Sequence, residues 1–451
     1  MALRFGTWAL FTVSALAQET SISDERTTAT HSTITLREHT TPTGSYQSFT
    51  SQITLGTSLG SIPDGSSIAT ENATSTESSE EVVTVVITET SITWLTGSPK
   101  TTKPTTTLPS NLTSSSTTST APSVTNTQPC NNYPEFCQRR YSNITEVGCH
   151  NSPFITPNNL AANQQYDVTT QLNDGVRFLQ AQIQWPSNGT EPHFCHTSCD
   201  ILDAGPIIEW LTEVKNWVAV HPYDVVTILL GNGNYSAPSM YVPYIEQSGI
   251  LRYIYQPPVV PMTLKDWPTL NDMILKGQRV VMFLDYMADQ QQYPWLLDEF
   301  SQMWETPFDP VDQSFPCTVQ RPPDLPEDAA RNRLYLLNHN LNIDLSLLSA
   351  ELLVPARAEL NLTNNATGYG SLGAGADNCL NTWVLPPKIL NVDYYNAGEY
   401  PGTVFEVAAR MNNVTYNRPC CGTSVSGASG LVRGSKYIYT LVGIVLFWAA
   451  V

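Results

Sequence analysis

The sequence predicts an α/β domain built on a parallel sheet, set behind a long Ser/Thr-rich region. Three observations carry that expectation. All nine cysteines of the 451-residue chain fall between Cys130 and Cys421, whereas residues 18–129 hold 52 Ser or Thr in 112 positions and no Cys. The 292 residues from Cys130 to Cys421 approach the roughly 250 of a closed eight-stranded α/β barrel. Within them, short apolar runs alternate with helical patterns, and strand, helix, strand repeated in one domain argues for a parallel sheet, open or closed.

The elements follow in chain order. Met1 to Ala17 reads as a secretory signal: Arg4 is the positive flank, Trp8 to Val13 the apolar centre, and Ala15-Leu16-Ala17 the small-x-small cleavage pattern. Residues 18–129 carry too little apolar material to offset the entropy of ordering them, so a disordered stalk is expected. Runs such as Thr105-Thr106-Thr107 and Ser114 to Thr118 suit dense O-glycosylation. One segment differs: Val82-Val83-Thr84-Val85-Val86-Ile87-Thr88 is β-branched and uncharged, able to pair with copies of itself or to stay a short strand lost in coil.

Five strands are expected in the domain, in runs at Val176-Arg177-Phe178-Leu179, Asp224 to Leu230, Arg279 to Leu284, Arg333 to Leu337 and Lys388 to Val392. The second is almost continuously apolar, as a strand buried on both faces must be. Ile207, Trp210, Leu211, Val214, Trp217 and Val218 recur at three-and-four spacing behind Pro206 and mark an amphipathic helix. Weaker helical patterns lie at Val168 to Leu172, Leu270 to Leu275 and Val404 to Met411.

Residues 422–451 close the chain with the small run Ser424 to Gly430, then Arg433 and Lys436, then an uncharged, mostly apolar tail from Tyr437. Small residues, a polar spacer and a terminal apolar tail form a GPI-attachment signal, with Ser426 or Gly427 as the favoured site. The tail is short for a spanning helix, since a hydrocarbon core is about 30 Å thick. A secreted protein is expected, held by a lipid anchor at the extracellular face of the plasma membrane or in the cell wall. Eight Asn-x-Ser/Thr sequons, at Asn72, Asn111, Asn143, Asn188, Asn234, Asn361, Asn365 and Asn413, suit that route. Its oxidising compartments favour disulfides, and nine cysteines leave one thiol free or bridged to another chain. The net charge of −18 argues against nucleic acid, because nothing here could neutralise a run of phosphates.

In parallel α/β folds the chemistry gathers where strands end. Reading each run to its end gives His150, Gln180 and Gln182, His196, Asn232, Asp285, His339 and Asp393 as candidates. His193 and His196 cannot share a face of an extended segment, which disfavours a zinc site made of His193, Cys195 and His196.

The order Gly148-Cys149-His150-Asn151-Ser152, then Leu172-Asn173-Asp174-Gly175-Val176-Arg177-Phe178-Leu179, then His193-Phe194-Cys195-His196 resembles the phosphatidylinositol-specific phospholipase C X-domain superfamily. More narrowly, it looks like the fungal secreted branch of PLC-like phosphodiesterases. The resemblance covers most of 130–421 and implies a TIM (β/α)8-type barrel. It implies a phosphoric diester hydrolase in which His150 is the general base, His196 the general acid, and Asp393 or Asp285 the carboxylate that orients His150. Imidazole suits both roles because its pKa lies near 6.5. Asn151, Gln180, Gln182, Asn232, Asp285 and His339 would then meet the substrate, the headgroup of a phospholipid or of a GPI-type glycolipid.

Two departures matter. The Ca²⁺-dependent members use carboxylates on the second strand, where this chain has Gln180 and Gln182; neutral amides disfavour Ca²⁺, although Asn151 matches a ligand. The Ca²⁺-independent bacterial members use an Arg on that strand and an Asp after the first His, where this chain has Gln182 and Asn151. The acid and base are kept while both known charge stabilisers are missing. The alternative to an enzyme is therefore a barrel without turnover, serving as an anchored wall or adhesion glycoprotein in contact with wall polysaccharide. A sugar-cleaving enzyme would need two carboxylates about 5–9.5 Å apart, which Asp285 and Asp393 could supply, but no motif supports it.

Overall fold

The computed structural model describes residues 46–55, 128–345 and 352–422. The expected signal peptide, most of the Ser/Thr-rich region with its Val82 segment, and the expected attachment signal beyond Gly422 lie outside the described residues.

Eight parallel strands form the sheet: β1 (Glu146–Cys149), β2 (Phe178–Gln184), β3 (Val226–Gly231), β4 (Val280–Leu284), β5 (Leu296–Asp298), β6 (Met303–Glu305), β7 (Leu334–Asn338) and β8 (Ile389–Val392). Their order is β6-β7-β8-β1-β2-β3-β4-β5. Each strand except β6 thus neighbours its predecessor in the order, and β8 returns to β1 with Ile389 opposite Glu146 and Val392 opposite Cys149. Sequential winding of this kind curls a parallel sheet into a (β/α)8-type barrel. Among the described residues the ladder breaks at one place, between β5 and β6, which the four-residue helix Glu299–Gln302 joins.

Alternation of side chains divides the core in two. Phe178, Leu229, Val281, Phe283, Leu297, Met303, Leu334, Leu336 and Ile389 fill the barrel above Tyr141 and Trp267. Val147, Leu179, Ala181, Ile228, Leu230, Met282, Leu337, Leu390 and Val392 face outward to the helices. Each such fully buried Leu, Val or Phe contributes about 1.5–3 kcal/mol. Helix α1 (Val168–Asp174) starts at Asp167, whose carboxylate accepts from the Thr170 N–H, and ends at Gly175 with φ 120°. Helix α2 (Ile207–Val220) buries all six residues of the expected apolar stripe.

Every predicted strand begins slightly later than expected. Arg177, Asp224, Arg279 and Lys388 precede the ladders and knit the lower rim instead. Arg177 pairs with Asp224 at 2.7 Å, Arg279 donates to the Val218 and His221 carbonyls, and Lys388 meets Glu146 at 2.9 Å. Short strands β5 and β6 escaped the sequence reading because three residues show no period. Helix α3 (Leu372–Trp383) escaped it because Gly373 and Gly375 are poor helix formers. Packing requires them: a Cβ at Gly373 would lie 1.7 Å from the Ala366 carbonyl oxygen, and one at Gly375 would lie 3.3 Å from the His339 ring. Helix α4 (Thr403–Met411) follows β8 as expected.

Three disulfides link Cys130–Cys137, Cys195–Cys199 and Cys317–Cys379, and a fourth joins the adjacent Cys420 and Cys421. The odd thiol is Cys149, buried on the outer face of β1. Residues 46–55 depart from the expected disordered stalk and lie against the barrel.

Candidate active site

Above its apolar filling the barrel carries a polar layer, built from the inward positions at the strand ends. His150 continues the inward parity of Glu146 and Gly148, Gln180 and Gln182 that of Phe178, and Asp285 that of Val281 and Phe283. Glu305 follows Met303, Asn338 follows Leu336, and Asn391 and Asp393 follow Ile389.

His150 Nδ1 lies 2.8 Å from Asp393 Oδ1, both residues being buried. Asn163 Nδ2 donates to the same carboxylate oxygen at 2.9 Å, and Gln164 Nε2 donates to the carbonyls of His150 and Val392. The carboxylate therefore accepts the Nδ1 proton and leaves His150 Nε2 as the basic atom, with Asn151 Nδ2 at 3.2 Å from it. Asn151 sits at φ 49°, a left-handed turn that asparagine tolerates. Burial opposes charge on His150, but the adjacent, hydrogen-bonded Asp393 carboxylate outweighs it and raises the pKa above the usual imidazole value.

His196 ends the strand His193–His196, which pairs antiparallel with the upper end of β2. Its Nδ1 is 3.0 Å from Thr197 Oγ1 and its ring meets Phe154 edge-on at 5.4 Å. Burial, and then the positive charge of nearby His150, push its pKa down to about 4. Phe154, whose N–H donates to the Asn151 carbonyl at 2.9 Å, links the two histidine segments, and their environments push the two imidazoles in opposite directions.

The remaining candidates divide by parity. Gln180 Oε1 accepts from Asn391 Nδ2 at 2.7 Å inside the polar layer, and Gln182 is half-buried beside Gly231 and Gly233. Asp285 accepts from the Asn232 and Tyr286 N–H groups at 2.6 and 2.7 Å, and burial pushes its pKa up to about 6 despite the nearby Arg321 charge. It ties two loops together at the layer's edge. Asn232 and His339 need correcting, because each stands one residue past the last inward position of its strand. Asn232 donates to the Ser236 and Tyr286 carbonyls and accepts from the Ser236 N–H and the Tyr241 hydroxyl, so its amide is fully spent on its own loop. His339 turns toward α3, stacks on Phe315 at 3.7 Å and holds the Thr363 carbonyl with Nε2; burial pushes its pKa down to about 3. Asn232 has no atom left for a substrate in this arrangement, and the buried His339 ring is turned out of the barrel.

Sequence reasoning missed Asn163, Asn338, Asn391, Glu305 and Arg321. The guanidinium of Arg321 binds Glu305 Oε2 through Nε and Nη2 at 2.9 and 2.6 Å, lies 3.8 Å above the Phe308 ring, and is buried. Strand parity could have revealed Asn338, Asn391 and Glu305; nothing in the local sequence reveals Arg321, which a long loop brings back beside Glu305.

The donor set does not fit Ca²⁺: Asn151, Gln180 and Gln182 offer neutral amides, and the Gln180 oxygen already accepts from Asn391. A zinc site at His193, Cys195 and His196 also fails, because Cys195 is in a disulfide and His193 turns away to Asp203 at 2.9 Å. Among the described residues, three potential metal-binding side chains come together only at Asp174, Cys420 and Cys421, whose sulfurs are oxidised to a disulfide.

Comparison with known proteins gives the lineage. A family model described as PI-PLC X 1 matches residues 136–412. An uncharacterized secreted protein of Arthroderma benhamiae is 49% identical over 328 residues, covering 72% of this chain and 74% of that protein. A PI-PLC X domain-containing protein 1 of the same fungus is 39% identical over 272 residues, 60% of this chain and 86% of that one. Among solved structures, phosphatidylinositol-specific phospholipase C from Listeria monocytogenes is similar at 13% identity and a TM-score of 0.38, over 60% of this chain and 94% of that one. The matched region holds the whole barrel with His150, His196 and Asp393, and the chain belongs to the PI-PLC X domain family.

Proposed function

We propose that the protein is a secreted phosphoric diester hydrolase that cleaves a lipid or glycolipid headgroup at the cell surface. The observation that carries this reading is the His150–Asp393 hydrogen bond at 2.8 Å. His150 Nε2 takes the proton of the attacking hydroxyl, a neighbouring hydroxyl of the headgroup or a water. That oxygen bonds to phosphorus, the bond from phosphorus to the leaving alcohol breaks, and His196 gives its proton to the departing oxygen. Asp393 holds the tautomer and balances the imidazolium, as a carboxylate does in a triad. His196 must be protonated to act as acid; the negative phosphodiester, once bound, offsets the burial that strips its proton in the empty site.

Secretion is supported by the name of the Arthroderma relative and by the signal at Met1 to Ala17. Lipid anchoring through residues 422–451, and with it a membrane or wall location, belongs to the same proposal. A second reading, an anchored adhesion barrel without turnover, draws on Gln180 and Gln182, which supply no charge to a phosphoryl group. Full-length protein offered vesicles containing an inositol phospholipid, with Ca²⁺ or with a chelator, separates the two. The enzyme reading expects turnover that survives chelation and disappears in His150→Ala and His196→Ala. Absence of turnover under both conditions, with the variants folded, favours the adhesion barrel.

A further inference from the structure

The helix that bridges the break between β5 and β6 meets a segment from far away in the chain. Tyr46 sets its ring edge-on to Phe300, in the helix that bridges the break, and to Tyr286, with centroids 4.9 and 5.8 Å apart. Gln47 Nε2 donates to the Ala288 carbonyl. At the other end of the segment, Ile53 and Thr54 pair antiparallel with Val260 and Val259, the Leu55 N–H donates to the Pro258 carbonyl at 3.0 Å, and Leu55 is buried. Gln52 Nε2 reaches the Pro261 carbonyl and Asp266 Oδ2. Residues 50–54 present exposed side chains between these ends. The segment is held at both ends and covers what lies beneath.

From Tyr46 a continuous run of hydrogen bonds enters the polar layer. Its hydroxyl is 3.4 Å from that of Tyr286, which accepts from Arg321 Nη1 at 3.3 Å. Arg321 grips Glu305, Asn338 Nδ2 donates to the same Glu305 oxygen at 3.1 Å, and Asn391 Nδ2 joins Asn338 Oδ1 to Gln180 Oε1. Six links connect residue 46 to Gln180 in the polar layer. A buried network of this kind holds one geometry only while its members are satisfied.

We infer that residues 46–55 are a strap belonging to the barrel, covering the β5–β6 break in place of the missing ladder and fixing Tyr286 and Arg321 in the polar layer. The folded domain then includes a segment from within the region expected to be stalk. The inference goes beyond the phosphodiesterase reading and does not rest on it.

Amide hydrogen exchange on the full-length protein tests it. In the wild type, peptides covering 46–55 should exchange about tenfold or more slowly than the Ser/Thr-rich peptides on either side. In the double variant Tyr46→Ala/Leu55→Asp, peptides covering 284–305 and 318–323 should exchange about fivefold faster or more, while those covering β1 and β2 keep their rates. Tyr46→Phe, which keeps the ring, should speed only 318–323. A strap that exchanges like free chain in the wild type overturns the inference even if no variant folds. So does a double variant that leaves 284–305 and 318–323 unchanged, or one that speeds all strands alike.

Discussion

Asp393→Asn is the sharpest test of the His150 assignment. The carboxylate is 2% exposed and its Oδ1 lies 2.8 Å from His150 Nδ1 and 2.9 Å from Asn163 Nδ2. Unit charges about 4 Å apart attract by about 4 kcal/mol at an effective dielectric near 20, which is what holds the imidazolium against burial. The asparagine removes that attraction, so the His150 pKa should fall below the ordinary 6.5 rather than lie above it. The amide can also turn its NH₂ toward Nδ1, which forces the ring proton onto Nε2 and removes the basic lone pair. The comparable change in a serine-protease triad lowers kcat about 10⁴-fold; a loss of about 10³–10⁴, or about 4–5.5 kcal/mol in the barrier, is expected here. The assay is hydrolysis of an inositol phospholipid by wild type and variant across pH 5–9, with the His150 titration followed by NMR. The wild-type rate should fall as pH drops through the raised His150 pKa, because the protonated ring is no base. A variant within fivefold of wild type, or a His150 pKa that does not fall, would refute the reasoning.

Further expectations follow from the same geometry. A non-hydrolysable inositol phosphate should raise the His196 pKa from about 4, since the bound anion favours the imidazolium; an unchanged titration in the saturated protein rules out contact between that ring and phosphate. Arg321→Met should destabilise the fold by about 3–5 kcal/mol, the usual cost of leaving a buried partner unpaired; this is read by urea unfolding, and a loss below about 1 kcal/mol would contradict it. Gly373→Ala should cost about 1–3 kcal/mol, as overpacking does, because the Ala366 carbonyl occupies the methyl position; an unchanged midpoint would show that the turn at 366 gives way. Cys149 should resist thiol reagents in the native protein and take up one equivalent after unfolding without reductant; rapid native labelling would contradict its burial.

Much of the fold was legible because a barrel strand must be apolar on both faces. Val226–Leu230 and Val280–Leu284 declare themselves at once, and the stripe of α2 shows which face it buries. The site was legible in part, through the periodicity of two. Taking the residue after each strand selected His150, Asp285 and Asp393 correctly as inward, but it also selected Asn232 and His339, which stand at the opposite parity. Counting inward positions from Leu229, Leu336 and Ile389 recovers Asn338 and Asn391 and rejects the other two.

Local pattern alone determined the alternation of strands and helices, the odd cysteine, and the pair of histidines lying before and after β2 in a family-like order. Tertiary structure alone decided that Cys149 is the unpaired thiol, that Arg321 returns to Glu305, and that residues 46–55 belong to the barrel. The reason is physical: periodicity reports which side of an element is buried, because that depends on neighbours three or four residues away. A hydrogen bond between residues 46 and 286 leaves no trace in either stretch of sequence, since it depends on how the whole sheet curls and where its ladder breaks.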